Sequence, residues 1–173
     1  MTDLITTQEL RFERLLTAPI DRVWQYLVDP ELRARWFMAG PGDIRPGGTI
    51  GLTMAHERLS DEQVPTPERF AGVMGKAWTE RVLRVEPPHV LAFTWSNGDA
   101  GEVTITLAPE GDGTRLVLHH TGLRGAEDAA NFGGGWAAHL NAFERRVAGR
   151  GVPDFWKLHA EAETVAKRAV GLI

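Results

Sequence analysis

The sequence predicts an α+β fold: an antiparallel sheet with one apolar face, and a long amphipathic helix near the C-terminus to cover that face. Two patterns carry this. Trp78–Glu86, Val90–Ser96, Glu102–Ala108 and Thr114–Thr121 alternate apolar and polar residues. Pro87-Pro88, Ser96-Asn97-Gly98-Asp99 and Glu110-Gly111-Asp112-Gly113 separate them, which is the strand period with turn residues between. Then, in Gly133–Arg150, Trp136, Leu140, Phe143 and Val147 recur at i, i+4, i+7 and i+11, one face of a helix. A Trp and a Phe on one stripe need a large apolar partner, and the strands before them supply it.

The totals set bounds. A chain of 173 residues suits one domain, 1–173, with its own core. A net charge of −4 with no basic block argues against nucleic acid, whose phosphates need clustered Lys and Arg. There are no cysteines, so no disulfide, thiolate nucleophile or thiolate metal site is available. MTDLITTQELRFERLL lacks the charged and apolar regions of a secretory leader, and no apolar run approaches the roughly 20 residues that cross a bilayer. The expectation is a cytoplasmic protein with no membrane partner.

Taken in order, Glu9–Thr17 reads as a first strand, with Leu10, Phe12 and Leu16 on one face and Arg14 breaking the pattern. Ala18-Pro19 opens a helix, Pro in its first turn and Asp21 near the positive end of the dipole. Ile20, Val23, Trp24 and Leu27 form its apolar stripe. Asp29 stops this helix and caps a short second one, from Pro30 to about Phe37. Gly and Pro turns follow at Ala39–Gly42 and Arg45–Gly48, and Ile50, Leu52 and Met54 form a strand. His56–Lys76 is a long excursion and a lid candidate. The glycines Gly133–Gly135 should weaken or interrupt a helix, so the long helix is expected to begin after them; they are either a plain loop, or a hinge or close backbone approach at the pocket mouth. Asn141, Glu144, Arg145 and Arg146 suit its watery side. Pro153-Asp154 opens an additional C-terminal helix at about 153–170, striped by Phe155, Leu158, Ala162, Val165 and Ala169. That stripe packs on its own domain or on a second copy, giving a homodimer.

Familiar reactive constellations are missing. Gly75-Lys76 is followed by Ala77, so it is no phosphate-binding loop, and neither G-x-S-x-G nor H-E-x-x-H occurs. No Gly-rich dinucleotide fingerprint follows a strand. His119 and His120 are strand neighbours, so they point to opposite faces and cannot share an ion. No catalytic residue, metal or cofactor is assigned.

A pocket is nonetheless expected. Trp36, Phe37, Trp78, Phe93, Trp95, Phe132, Trp136 and Phe143 form an aromatic set richer than a dense core uses, and small-molecule sites are concave and aromatic. His120, on the face with Leu116 and Leu118, and His139, on the edge of the helix stripe, would supply its polar groups. The plainer alternative is that both are ordinary buried histidines with satisfied hydrogen bonds. Glu80 is either a polar anchor or part of a solvated strand face.

Four blocks resemble one family: APIDRVWQYLVDPELRARWF, VLRVEPPHVLAFTW, TRLVLHHTGL and GGWAAHLNAFERRVAG. They are similar to the START-like superfamily, also called SRPBCC, in the branch named after the C-terminal domain of the activator of heat shock protein 90 ATPase. The similarity runs from about Leu10 to Gly149. It implies a helix-grip fold, a curved antiparallel sheet around a long C-terminal helix with two short helices after the first strand. It also implies a cavity between sheet and helix, lined by Trp36, Phe37, Trp95, His120, Trp136, Leu140 and Phe143. The function it implies is binding of a small apolar or amphipathic molecule, with a hydrolase, cyclase or isomerase in the same cavity, or a chaperone-interacting module, as alternatives. The chain departs from the family pattern at His56–Lys76, at the glycine run and after Pro153.

Overall fold

The computed structural model describes residues 3–173. Seven strands form one antiparallel sheet: β1 (Leu4–Ile5), β2 (Glu9–Leu16), β3 (Thr49–Thr53), β4 (Ala77–Glu86), β5 (Val90–Thr94), β6 (Glu102–Glu110) and β7 (Gly113–Thr121). Their order is β1-β2-β7-β6-β5-β4-β3, so β4 to β7 are the expected meander and the sheet stays open. β2 pairs with β7 along its whole length, Phe12 opposite Leu118. β1, two residues long, is too short to show a period.

The alternation puts Leu10, Phe12, Leu91, Phe93, Val103, Ile105, Leu116 and Leu118 into one core. Arg14, the residue that breaks the β2 pattern, forms ion pairs with Asp3 at 2.6 Å and with Glu144 at 3.5 Å. In β4 the register shifts between Val82 and Arg84. This bulge adds one residue and turns the strand over. Trp78, Glu80 and Val82 share the inner side, and beyond the bulge Val85, not Arg84, packs on the core.

α1 (Ile20–Val28) follows Pro19 and buries Val23, Trp24, Tyr26 and Leu27. α2 (Pro30–Arg33) is capped by Asp29 Oδ1, which accepts from the amides of Glu31 and Leu32 at 2.9 and 3.1 Å. The helix ends at Arg33, earlier than expected, and the chain reaches Phe37 in turns. The excursion after β3 holds a 3₁₀ turn at His56–Arg58 and α3 (Glu68–Ala71).

The long helix α4 runs Ala126–Val147, so it begins well before Trp136 and passes through the glycines without interruption. Intrinsic propensity loses to packing here. α5 (Phe155–Ala169), capped by Asp154, lies along α4. A Cβ at Gly134 would stand 2.8 Å from Glu163 Cα, closer than real contacts allow, so only Gly permits this approach. The glycine run is therefore helix rather than loop, and at Gly134 it is a close backbone approach. The buried face of α5 is Phe155, Trp156, His159 and Ala166, while Val165 is 60% exposed. Of the expected stripe, Phe155 is buried and Leu158 and Ala162 pack on the core, while Val165 and Ala169 face outward and Trp156 and His159 join the buried face.

Candidate functional site

Under the last turns of α4, from Leu140 to Phe143, the space against the sheet is filled. Trp36 stacks on Phe143, centroids 4.3 Å apart, and donates its indole N–H to the Tyr26 carbonyl at 2.9 Å. Phe93, Leu140 and Phe143 are buried in the same cluster. Of the expected lining, Trp36, Phe93, Leu140, Phe143 and His120 thus sit in packed core. Arg33 stiffens this region. Its guanidinium is buried and donates to the carbonyls of Gly40 at 2.6 Å and Gly51 at 3.1 Å, and burial lowers it to about 10.

The open space lies further toward the α4 N-terminus. A cavity of about 460 Å³ is bounded by Phe37, the β4 and β5 side chains Trp78 and Trp95, and Phe132, Gly135, Trp136 and His139 of α4. Phe37, Trp78, Trp95, Phe132, Trp136 and His139 are therefore the sequence-expected residues that it brings together. The remaining wall was not anticipated. His56, Arg69, Phe70, Val73 and Lys76 come from the excursion, and Trp156 and His159 from α5. The one sequence signal for them was the excursion's length; for Trp156 it was a tryptophan beside the Phe155 stripe.

Local contacts hold each wall. His120 is a satisfied core histidine: its Nε2–H donates to the Ala100 carbonyl at 2.8 Å, and its Nδ1 accepts from Trp136 Nε1 at 3.1 Å. It thereby fixes the indole of Trp136 on the cavity wall. His119, on the opposite face, pairs with Glu9 at 2.6 Å. Glu80 is 1% exposed, which removes the solvated reading. Its carboxylate accepts from Thr94 Oγ1 at 2.6 Å, the Asn97 amide at 2.9 Å and Trp78 Nε1 at 3.1 Å. So it orients Trp78 and pins the turn that carries Ser96 and Asn97 at positive φ.

Arg146, expected in water, instead ties down the excursion. It pairs with Asp61 at 2.8 Å and donates to the carbonyls of Leu59 at 3.0 Å and Arg35 at 3.1 Å. Asp61 also accepts from the Val152 amide at 2.6 Å, joining the excursion to the α4–α5 connection. α3 is held to α5 by the Arg69–Glu163 pair, which lowers Glu163 to about 2, and by Phe70 stacked on Trp156 at 4.9 Å.

The polar centre of the wall is a histidine pair. His56 Nε2 and His139 Nε2 are 3.1 Å apart, and His139 Nδ1 is 2.8 Å from the Trp36 carbonyl. Burial lowers His56 to about 4, with the neighbouring His159 adding to it. Burial, then His56, pushes His139 well below its ordinary value, and burial lowers His159 as well. All three imidazoles are neutral at neutral pH. Such a set can accept or relay a hydrogen bond inside an aromatic cavity.

Comparisons agree with this architecture. The family described as Activator of Hsp90 ATPase homolog 1-like protein matches residues 17–148. The solution structure of the protein encoded by gene BPP1335 of Bordetella parapertussis is 38% identical, with a TM-score of 0.80 over 97% of this chain and 95% of that one. CalU16 of Micromonospora echinospora has the same fold at 24% identity, TM-score 0.68, over 98% of each chain. DynU16, a protein of the dynemicin biosynthetic locus, matches at 22% identity and TM-score 0.64, over 86% of this chain and 50% of that one. No curated protein matches the sequence. Among the described residues no helix is long and apolar enough to cross a membrane. The chain belongs to the family of activator of Hsp90 ATPase homolog 1-like proteins, in the START-like superfamily.

Proposed function

We propose that this protein binds a small apolar or amphipathic molecule in the cavity between the sheet, α4, α5 and the His56–Lys76 segment. The observation that carries the reading is the cavity itself: about 460 Å³, walled by Phe37, Phe70, Trp78, Trp95, Trp136 and Trp156, with a few histidines among them. Concave, aromatic spaces of a few hundred Å³ with few polar groups are the usual form of small-molecule sites. Gly135 supports it further. A Cβ there would meet nothing within 4 Å, so this glycine leaves room in the cavity rather than making a close contact.

The test is a fluorescence titration with Nile red, an apolar dye that brightens away from water. The expected result is saturable binding of one dye per chain. Gly135→Leu, which places a side chain in the cavity and favours the helix, is expected to weaken binding about tenfold or more while the thermal melt is kept. No saturable binding, or binding indifferent to Gly135→Leu, contradicts the reading.

A second reading is an acid–base enzyme of hydrolase, cyclase or isomerase type in the same cavity. His56, a cavity-wall imidazole whose buried Nδ1 has no hydrogen-bond partner, favours it. Conversion of a bound compound, seen as a change in its mass, distinguishes catalysis from binding alone.

A further inference from the structure

We propose that the molecule held in this cavity carries a hydroxyl group, an apolar alcohol or phenol, whose O–H donates to His56 Nδ1 and whose oxygen accepts from Trp156 Nε1. The proposal rests on reading the cavity as a ligand site and adds the chemistry of what enters it.

The polarity of the wall is fixed from the backbone outward. A carbonyl oxygen only accepts, so His139 Nδ1, 2.8 Å from the Trp36 carbonyl, must carry a proton. His139 is buried and neutral at neutral pH, so its Nε2 is bare and can only accept. His56 Nε2, 3.1 Å away, must then be the donor. His56 is neutral too, which leaves Nδ1 as a lone pair. That nitrogen is buried without a hydrogen-bond partner, and the residue is only 5% exposed. The chain Trp36 carbonyl, His139, His56 therefore presents an acceptor and no donor.

The complementary group stands beside it. Trp156 stacks on His56, centroids 5.7 Å apart and planes 21° apart. An indole N–H is a donor only, and Trp156 Nε1 is also buried without a partner. Both residues line the same cavity, and in the free protein each nitrogen is closed off from it, so a ligand reaches the pair by displacing the rings. A buried donor or acceptor left unmatched costs about 1–3 kcal/mol, so a ligand that matches both binds selectively.

Few groups do so. A carbonyl, ether or carboxylate oxygen accepts from Trp156 but offers His56 nothing. An ammonium donates to His56 but cannot accept, and burying its charge among aromatic rings and neutral histidines is costly. A hydroxyl does both, and its hydrocarbon body suits the surrounding rings.

The experiment compares 2-naphthol with 2-methoxynaphthalene, alike except that the ether cannot donate, by equilibrium dialysis against the full chain. The naphthol is expected to bind about tenfold tighter or more. His56→Phe and Trp156→Phe are each expected to shrink that ratio. In the unaltered protein, imidazole ¹⁵N spectra should show His56 with a bare Nδ1 whose signal moves toward the hydrogen-bonded range when naphthol is added. Equal binding of the two probes overturns the hydroxyl inference and leaves the cavity reading standing. Binding of neither overturns both. A naphthol preference that survives in both variants, or a His56 Nδ1 signal indifferent to naphthol, also overturns the inference. The ¹⁵N result decides even if a variant fails to fold.

Discussion

Gly134 brings α4 so near to α5 that a Cβ on it would stand 2.8 Å from Glu163 Cα and 3.1 Å from the Glu163 amide nitrogen. The next residue, Gly135, has open space where its Cβ would be. Two neighbouring glycines of one helix therefore have different reasons to be glycine. Ala is the better helix former by about 1 kcal/mol, so Gly135→Ala should stabilise the protein by roughly 0.5–1 kcal/mol. Gly134→Ala should destabilise it by about 1–3 kcal/mol, because the obstacle is backbone of α5. Urea unfolding of the two variants checks the opposite signs.

Acidification should weaken the fold through the cavity histidines. His56 falls from an ordinary 6.5 to about 4 on burial, and His139, His159 and His120 are lowered too. Above about pH 6.5 folded and unfolded chains both hold these imidazoles neutral, so stability is flat with respect to them. Below it the unfolded chain takes up protons that the folded chain refuses, and stability falls as pH drops toward 4. The His56 shift alone amounts to about 3 kcal/mol across that window. Thermal melts between about pH 7.5 and pH 5 should show Tm falling on the acid side, with a shallower fall in His56→Phe. Glu163, held to about 2 by Arg69, loses its contribution at lower pH, as the pH falls from the ordinary carboxylate range toward 2.

Glu80 gathers three donors from separate places: the Trp78 indole, the Thr94 hydroxyl and the Asn97 amide. Glu80→Leu keeps much of the volume but leaves those donors unmatched, and should cost about 2 kcal/mol or more. It should also weaken Nile red binding, because Trp78 loses its orientation on the cavity wall. Urea unfolding and the dye titration read the two effects separately.

These residues show where the sequence was legible. The meander, the Asp29 and Asp154 caps and the α4 stripe follow from local periodicity and capping chemistry, and they appear as expected. The inward face of β4 did not follow, because one bulge near Val82 inverts a period-two argument. The α4 helix starts before three glycines that oppose a helix locally, and the reason that Gly134 must be glycine lies in α5, remote in sequence. Five of the eight expected aromatic rings reached the cavity and three filled the core, since composition does not distinguish a ring that stacks on Phe143 from one that faces open space. His56 and Trp156 carried only weak signals as site residues, the length of the excursion and a tryptophan beside Phe155. Their roles arise from a meeting of the excursion with α5 that no spacing encodes.

The six tryptophans offer the most direct measurement. Trp78, Trp95, Trp136 and Trp156 line the large cavity, whereas Trp24 and Trp36 lie in packed core. Each contributes one indole N–H signal to a ¹H–¹⁵N spectrum. On titration with Nile red, the signals of Trp78, Trp95, Trp136 and Trp156 should move together and saturate, while those of Trp24 and Trp36 stay in place. Movement confined to Trp24 and Trp36, or no movement at all, would contradict the assignment of this cavity as the binding site.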